Sequence, residues 1–146
     1  MATTFGSLLM KSFRNLHVFL YHSSGGKVGG SINGSPVLLL TVTGRRSGRT
    51  YTIPVAYVQH DGEYLISASA AGADKNPAWF SNLTSKPETR IEVKDKTYRV
   101  KVTLTTDEER DRLYQLFKAQ GNNFVEYEKK TTRKIPVIRL QPIATT

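Results

Sequence analysis

The sequence predicts an α+β domain, mainly antiparallel β, built around a small barrel. Three observations predict it: six or so short β-patterned runs, hairpin-length links between most consecutive runs, and two or three helical patterns set around them. Strands joined by tight turns pair antiparallel, whereas a doubly wound parallel sheet needs a helical crossover between strands. With 146 residues, 38% of them hydrophobic and 10% aromatic, the chain has the composition of one globular domain. A chain of this length buries roughly two-thirds of its unfolded surface without staples.

The first element is helical. In FGSLLMKSFRNLHVFLYH the apolar residues Phe5, Leu8, Leu9, Phe13, Leu16, Phe19 and Leu20 recur at three- and four-residue spacing, one face of a helix within residues 1–22. Lys11 and Arg14 break the apolar stretch that a signal peptide needs, and the segment is too short and too charged to span a bilayer. An amphipathic helix docked on the domain by its apolar face is the expectation. A basic helix resting on an anionic membrane surface is the second reading. Residues 23–36 follow, with Gly25, Gly26, Gly29 and Gly30 close together, as a flexible link or a run of tight turns.

Residues 37–142 then carry the barrel. Val37–Thr43 is an apolar, β-branched run that suits a strand buried on both faces. Thr50–Gln59 alternates, and Pro54 within it marks an edge or a bulge where no ladder N–H is needed. Asp61-Gly62 turns the chain into Glu63–Ser69. A short helix carrying Trp79 comes next, with Asp74 or Asn76 as its cap, Pro77 in its first turn and Pro87 barring its extension beyond Lys86. Glu88–Val93 and Thr97–Leu104 form a second hairpin. Thr106-Asp107-Glu108-Glu109 reads as a capping box that opens a helix to about Ala119, with Leu113, Leu116 and Phe117 facing the core. A loop at 120–123 leads to Phe124–Tyr127, and Ile135–Leu140 closes the sheet.

Charge narrows the chemistry. With 21 Lys and Arg against 12 Asp and Glu the net charge is +9, which attracts nucleic acid, anionic membrane or a polyanionic small molecule. No cysteine is present, so thiolate metal sites, disulfides and Cys nucleophiles are excluded. His17, His22 and His60 lie far apart, so no metal site is expected. No RNP-like or helix-turn-helix pattern accompanies the charge, and no nucleic-acid partner is expected.

The most informative stretch is Thr43-Gly44-Arg45-Arg46-Ser47-Gly48-Arg49. It lacks the lysine of a Walker loop and the spacing of a dinucleotide fingerprint. What remains is a turn whose glycines let successive N–H groups point one way, beside a hydroxyl and guanidinium forks. Such a turn cradles a phosphate or a carboxylate; a solvated charged hairpin tip is the alternative.

These residues resemble a known family. LLLTVTGRRSGRTYTIPVAYV, ISASAAGADKNPAWFSNL and the terminal RKIPVI occur in the order found in the deazaflavin-dependent nitroreductases, over roughly residues 25 to 140. The resemblance implies a split β-barrel of the flavin-reductase and FMN-binding kind, with a few flanking helices. It implies coenzyme F-420, an 8-hydroxy-5-deazaflavin with a phosphate and a polyglutamate tail, in preference to FMN. It also implies hydride transfer to an electron-poor acceptor such as a quinone, a nitroaromatic or a conjugated enone.

By the same resemblance Arg45, Arg46 and Ser47 grip the phosphate, with Arg49 and Tyr51 continuing the wall. Ile53 and Pro54 lie along the ring, Ser67, Ala68, Ser69 and Ala70 meet its edge, and Trp79 and Asn82 stand one helical turn apart beside it. Tyr127 covers the acceptor and would donate a proton or hydrogen bond, with Ser69 as the second catalytic candidate. Two positions depart from the family: Ala70 and Ala71 replace a Lys and a Gly, and Tyr51 stands where a basic residue is common. A cytoplasmic protein is expected, at the inner face of the membrane if the helix is an anchor, as a monomer or a homodimer. A non-catalytic barrel carrying a flavin, tetrapyrrole or lipid is the alternative.

Overall fold

The computed structural model describes residues 5–32 and 34–146. Along the chain run α1 (Phe5–Ser24), β1 (Ser31–Ile32), β2 (Ser35–Thr43), β3 (Thr50–His60), β4 (Glu63–Ser67), α2 (Ala78–Thr84), β5 (Glu88–Val93), β6 (Lys96–Leu104), α3 (Asp107–Gln120), α4 (Asn122–Lys130) and β7 (Val137–Thr145). The sheet order is β1-β2-β3-β4-β7-β6-β5, and β5 returns to β2 through Leu39 opposite Glu92 and Leu40 opposite Ile91. Every pairing is antiparallel, so β2 to β7 close a barrel, as the hairpin links predict.

One seam of the barrel is only half sewn. β3 pairs with β2 over Thr50–Ala56, but with β4 only over Tyr57–His60. The first half of β3 therefore has an edge open toward β4, and Pro54, which has no N–H to leave unpaired, sits in it. The barrel is split at this edge.

Leu38, Leu40 and Val42 point into the barrel with Ile66, Ile91, Val100 and Leu140. On the outside of β2, Val37 and Leu39 are covered by Tyr21 and Val18 of α1, so the strand is buried on both faces. A third cluster joins Val58, Leu65 and Val137 to Leu113, Tyr114 and Phe117 of α3 and Phe124 of α4. Burial pushes the Tyr114 phenol up to about 12, and as a neutral donor it holds the Phe124 carbonyl at 2.9 Å, which ties α4 to α3.

Helix α1 docks by the face opposite to the expected one. Arg14, His17, Val18 and Tyr21 turn inward, while Phe13, Leu16 and Phe19 are 60%, 53% and 65% exposed. The side chains of Phe5, Leu8 and Leu9 lie outside the described ones. Polar anchoring decides the face: the Tyr21 hydroxyl accepts from the Lys94 N–H at 2.7 Å, His17 meets the Gly29 carbonyl at 2.7 Å, and His22 pairs with Glu92 at 2.9 Å. The glycine stretch is the run of tight turns, packed on the helix. A Cβ on Gly29 would lie 2.7 Å from the His17 ring, so the close approach requires glycine there.

Other local expectations give way to tertiary contacts. Thr106 makes no capping bond, because Asp107 enters α3 at φ +49° and Glu109 turns to Arg139 instead. Asn76 does not cap α2, because its oxygen accepts from Arg133 at 2.7 Å. Phe124–Tyr127 belongs to α4, separated from α3 by Gly121 alone, and the strand predicted to Ser69 stops at Ser67.

Glu63 and Arg139 join β4 to β7 by paired hydrogen bonds of 2.7 and 2.8 Å. The guanidinium holds the Glu63 carboxyl below the usual carboxylate range. A carboxyl with a depressed folded-state pKa stabilises above its unfolded pKa and loses that contribution as pH falls through the folded value. Glu63→Gln is therefore expected to lower stability at neutral pH by about 1 kcal/mol. Urea melts at successive pH values should show the gap closing below the carboxylate range; a constant gap would mean that the pair does not act through its charge.

Candidate active site

The loop between β2 and β3 is built to present N–H groups. The Gly44 N–H donates to the Arg49 carbonyl at 2.8 Å, and the Gly48 N–H to the Gly44 carbonyl at 2.9 Å. The Arg49 N–H donates to Ser47 Oγ at 3.2 Å. A Cβ on Gly44 would lie 2.5 Å from Ser47 Oγ, so only glycine lets the hydroxyl fold over the turn. The amides of Arg46 and Ser47 have no acceptor among the described residues. Arg45, Arg46 and Arg49 have no carboxylate partner among them either. Free amides beside unpaired guanidinium groups make an anion cradle.

Three adjoining depressions run from this loop. The first, about 380 Å³, holds Arg45, Arg46 and Ser47 with Ser85 and Lys86. The second, about 460 Å³, lies between α1, β3 and α2 and includes Ser47, Arg49, Tyr51, Ile53 and Trp79. The third, about 190 Å³, follows the open edge of β3 at Pro54 to Ser67, Ser69, Ala70 and Tyr127, and it shares Trp79 with the second. Ser67 Oγ is buried with no hydrogen-bond partner among the described residues. A buried hydroxyl without a partner lining a cavity is a place where a ligand's polar edge fits.

The turn after β4 is held by Arg133, which the sequence reading missed. Its Nη2 donates to the carbonyls of Ala68 and Ser69 at 3.1 and 2.9 Å, its Nε to that of Ala73 at 2.8 Å, and its Nη1 to Asn76. Ala70 and Ala71 take φ of +47° and +54°, a left-handed bend that glycine adopts more readily. Gly72 then packs on α4, where a Cβ would stand 2.9 Å from the Tyr127 carbonyl oxygen. Arg133 opens the block RKIPVI and Gly72 lies within ISASAAGADKNPAWFSNL, but neither block tells what they hold, because both matter through contacts far along the chain.

The sequence-predicted residues thus converge on one groove, with two exceptions in manner. Ala68 is fully buried, and the described contact of its backbone toward the site is the carbonyl held by Arg133. Asn82 acts as a latch: its oxygen accepts from the Arg45 N–H and Nη1 at 3.1 and 3.0 Å, and its amide donates to the Tyr51 hydroxyl at 2.9 Å. Tyr127 receives a bond of 3.3 Å from Asn123 one turn earlier and packs edge-on against Phe124. Accepting that bond leaves the phenol's own proton free to donate.

A cationic loop, an unsatisfied buried hydroxyl and cavities along the open edge of a split barrel suit a ligand that is anionic at one end and polar-edged at the other. Residues 13–142 match the family described as F420H(2)-dependent quinone reductase, and the chain belongs to that family. A quinone reductase of this description from Mycobacterium tuberculosis is 33% identical over 129 residues, covering 86% of this chain and 87% of the relative. The solved structure of an F420-H2 dependent reductase is similar at 31% identity and a TM-score of 0.67, over 73% of this chain and 94% of its own. A structure described as a domain-swapped dimer is similar at 26% identity and a TM-score of 0.69, over 90% of this chain and 98% of its own. The family sets the activity: the protein is an oxidoreductase with coenzyme F-420 as its cofactor and a quinone-type acceptor.

Replacing Arg133 by Ala leaves the carbonyls of Ala68, Ser69 and Ala73 without their charged donor. A stability loss of about 1.5–3 kcal/mol is expected, with weaker cofactor binding. Denaturant melts paired with a cofactor titration check it, and a variant as stable as the parent would show that the turn holds itself.

Proposed function

We propose that this chain holds the deazaflavin phosphate in the Arg45–Gly48 loop, keeps the ring along the open edge of β3, and places the quinone under Tyr127. The observation that carries this reading is that three cavities adjoin through shared residues, Ser47 and then Trp79, from free amides and guanidinium groups without carboxylate partners at one end to Ser67 and Tyr127 at the other. The residues present fit a ligand that is anionic at one end and flat and polar-edged at the other.

The bound cofactor supplies the hydride. The chain supplies position and protons. Ser67 Oγ and the turn at Ser69–Ala71 meet the ring edge, Trp79 and Pro54 form its apolar walls, and Phe124 and Tyr127 close the cavity against water. The Tyr127 phenol donates to the quinone oxygen on which negative charge develops during hydride transfer. Ser69 supports the same edge through its place in the turn.

Tyr127→Phe is expected to lower turnover with a quinone by roughly ten- to a hundredfold while cofactor affinity stays the same. Arg46→Ala is expected to weaken cofactor binding by about 1.5–3 kcal/mol with the fold intact. Fluorescence quenching on titrating oxidised deazaflavin, with steady-state kinetics alongside, measures both. Unaltered turnover in Tyr127→Phe removes the proton-donor role, and unaltered affinity in Arg46→Ala removes the phosphate assignment.

The outward face of α1 supports peripheral contact with an anionic membrane, where a lipophilic quinone dissolves. Phe13, Leu16, Phe19 and Leu20 are exposed together on a chain of net charge +9, and no described helix is long and apolar enough to cross a bilayer. Phe13→Ser with Phe19→Ser should abolish sedimentation with phosphatidylglycerol vesicles. Loss of a dimer in sedimentation velocity, with no vesicle binding by the parent, would assign the face to a second copy of the chain.

A further inference from the structure

The cavity between α1, β3 and α2 carries cations from two separate parts of the chain. Lys11 and Arg14 of α1 line it together with Arg49, Ser47, Tyr51 and Trp79. The Arg14 guanidinium stands 5.6 Å from the centre of the Tyr51 ring, and its Nε is buried with no hydrogen-bond partner among the described residues. None of the three cations has a carboxylate partner among the described residues. Like charges gathered at one cavity repel unless an anion enters between them.

The anion's place is narrowed by what surrounds this cavity. It joins the phosphate cradle at Ser47 and the ring cavity at Trp79, and the lining of the ring cavity contains no Lys or Arg. Negative groups of the cofactor beyond its phosphate therefore find cations at the α1 end of the groove and not over the ring. The helix is held for this by its second half, where Tyr21, His17 and His22 are anchored. Lys11 and Arg14 precede those anchors by one to three turns on the inner face, which carries them past the sheet and over the groove.

We infer that α1 is the second wall of the cofactor site, with Lys11 and Arg14 binding a carboxylate of the glutamate tail beside Arg49. The inference rests on coenzyme F-420 being the ligand of this groove. It gives the helix a binding role on its inner face that is independent of what its outer face touches.

The test is a fluorescence-quenching titration of the full chain and of Lys11→Ala/Arg14→Ala with two forms of the oxidised cofactor, one bearing several glutamates and one trimmed of them. Thermal melts of both proteins accompany it. The double variant is expected to lose about tenfold or more in affinity for the tailed form and less than about twofold for the trimmed form, as removal of charge-assisted contacts to the tail requires. Lys11→Arg/Arg14→Lys, which keeps both charges, should recover most of the loss. Equal losses on both forms, or no loss on either, overturn the inference while the cofactor reading stands. A parent that binds neither form overturns the cofactor reading and this inference with it.

Discussion

A clasp sits where one seam of the barrel parts. Arg133 takes the carbonyls of Ala68, Ser69 and Ala73, which ties the chain leaving β4 to the segment after α4 at the point where its pairing with β3 has ended. β3 is left with a free edge from Thr50 to Ala56, and an edge strand is an open row of hydrogen-bonding groups. In many proteins such an edge is covered. Here it lines the groove, and Pro54 reduces the number of N–H groups left exposed there.

Around that edge the molecule separates two kinds of chemistry. Charge lies at the end formed by the β2–β3 loop and α1, while the far end is apolar and aromatic with isolated hydroxyls. Separation of this kind suits a cofactor that is anionic at one end and does its chemistry at the other. Within the charged end Asn82 holds both Arg45 and Tyr51, so the cationic loop and the adjoining wall keep a set distance. Gly72 does the same for α4, because its lack of a side chain sets how close α4 and Tyr127 come to the turn.

Helix α1 shows how polar anchors overrule an apolar stripe. Burying Phe13, Leu16 and Phe19 would gain hydrophobic energy, yet the helix turns them outward. The opposite face offers a buried Tyr21 with a hydrogen bond to β-hairpin backbone, a His22–Glu92 hydrogen bond and a ring–guanidinium contact.

The sequence by itself determined what depends on neighbours along the chain. Hairpin-length links point to antiparallel pairing, the near-continuous apolar run at Val37–Thr43 suits a strand buried on both faces, and Pro54 marks an edge or a bulge, which the fold resolves as an edge. The glycines and arginines of residues 44–49 mark a cationic turn, an anion cradle or a solvated tip, before any fold is known, because turn geometry and charge are local properties. Only the tertiary structure decided which face of α1 is buried, why Thr106 and Asn76 do not cap, how Arg133 and Gly72 fix the turn after β4, and that Lys11 and Arg14 line a cavity with Arg49. Each of those outcomes turns on a partner at least a dozen residues away. Hydrogen bonds and contacts of that range are set by where the barrel brings the chain together, which no local pattern encodes.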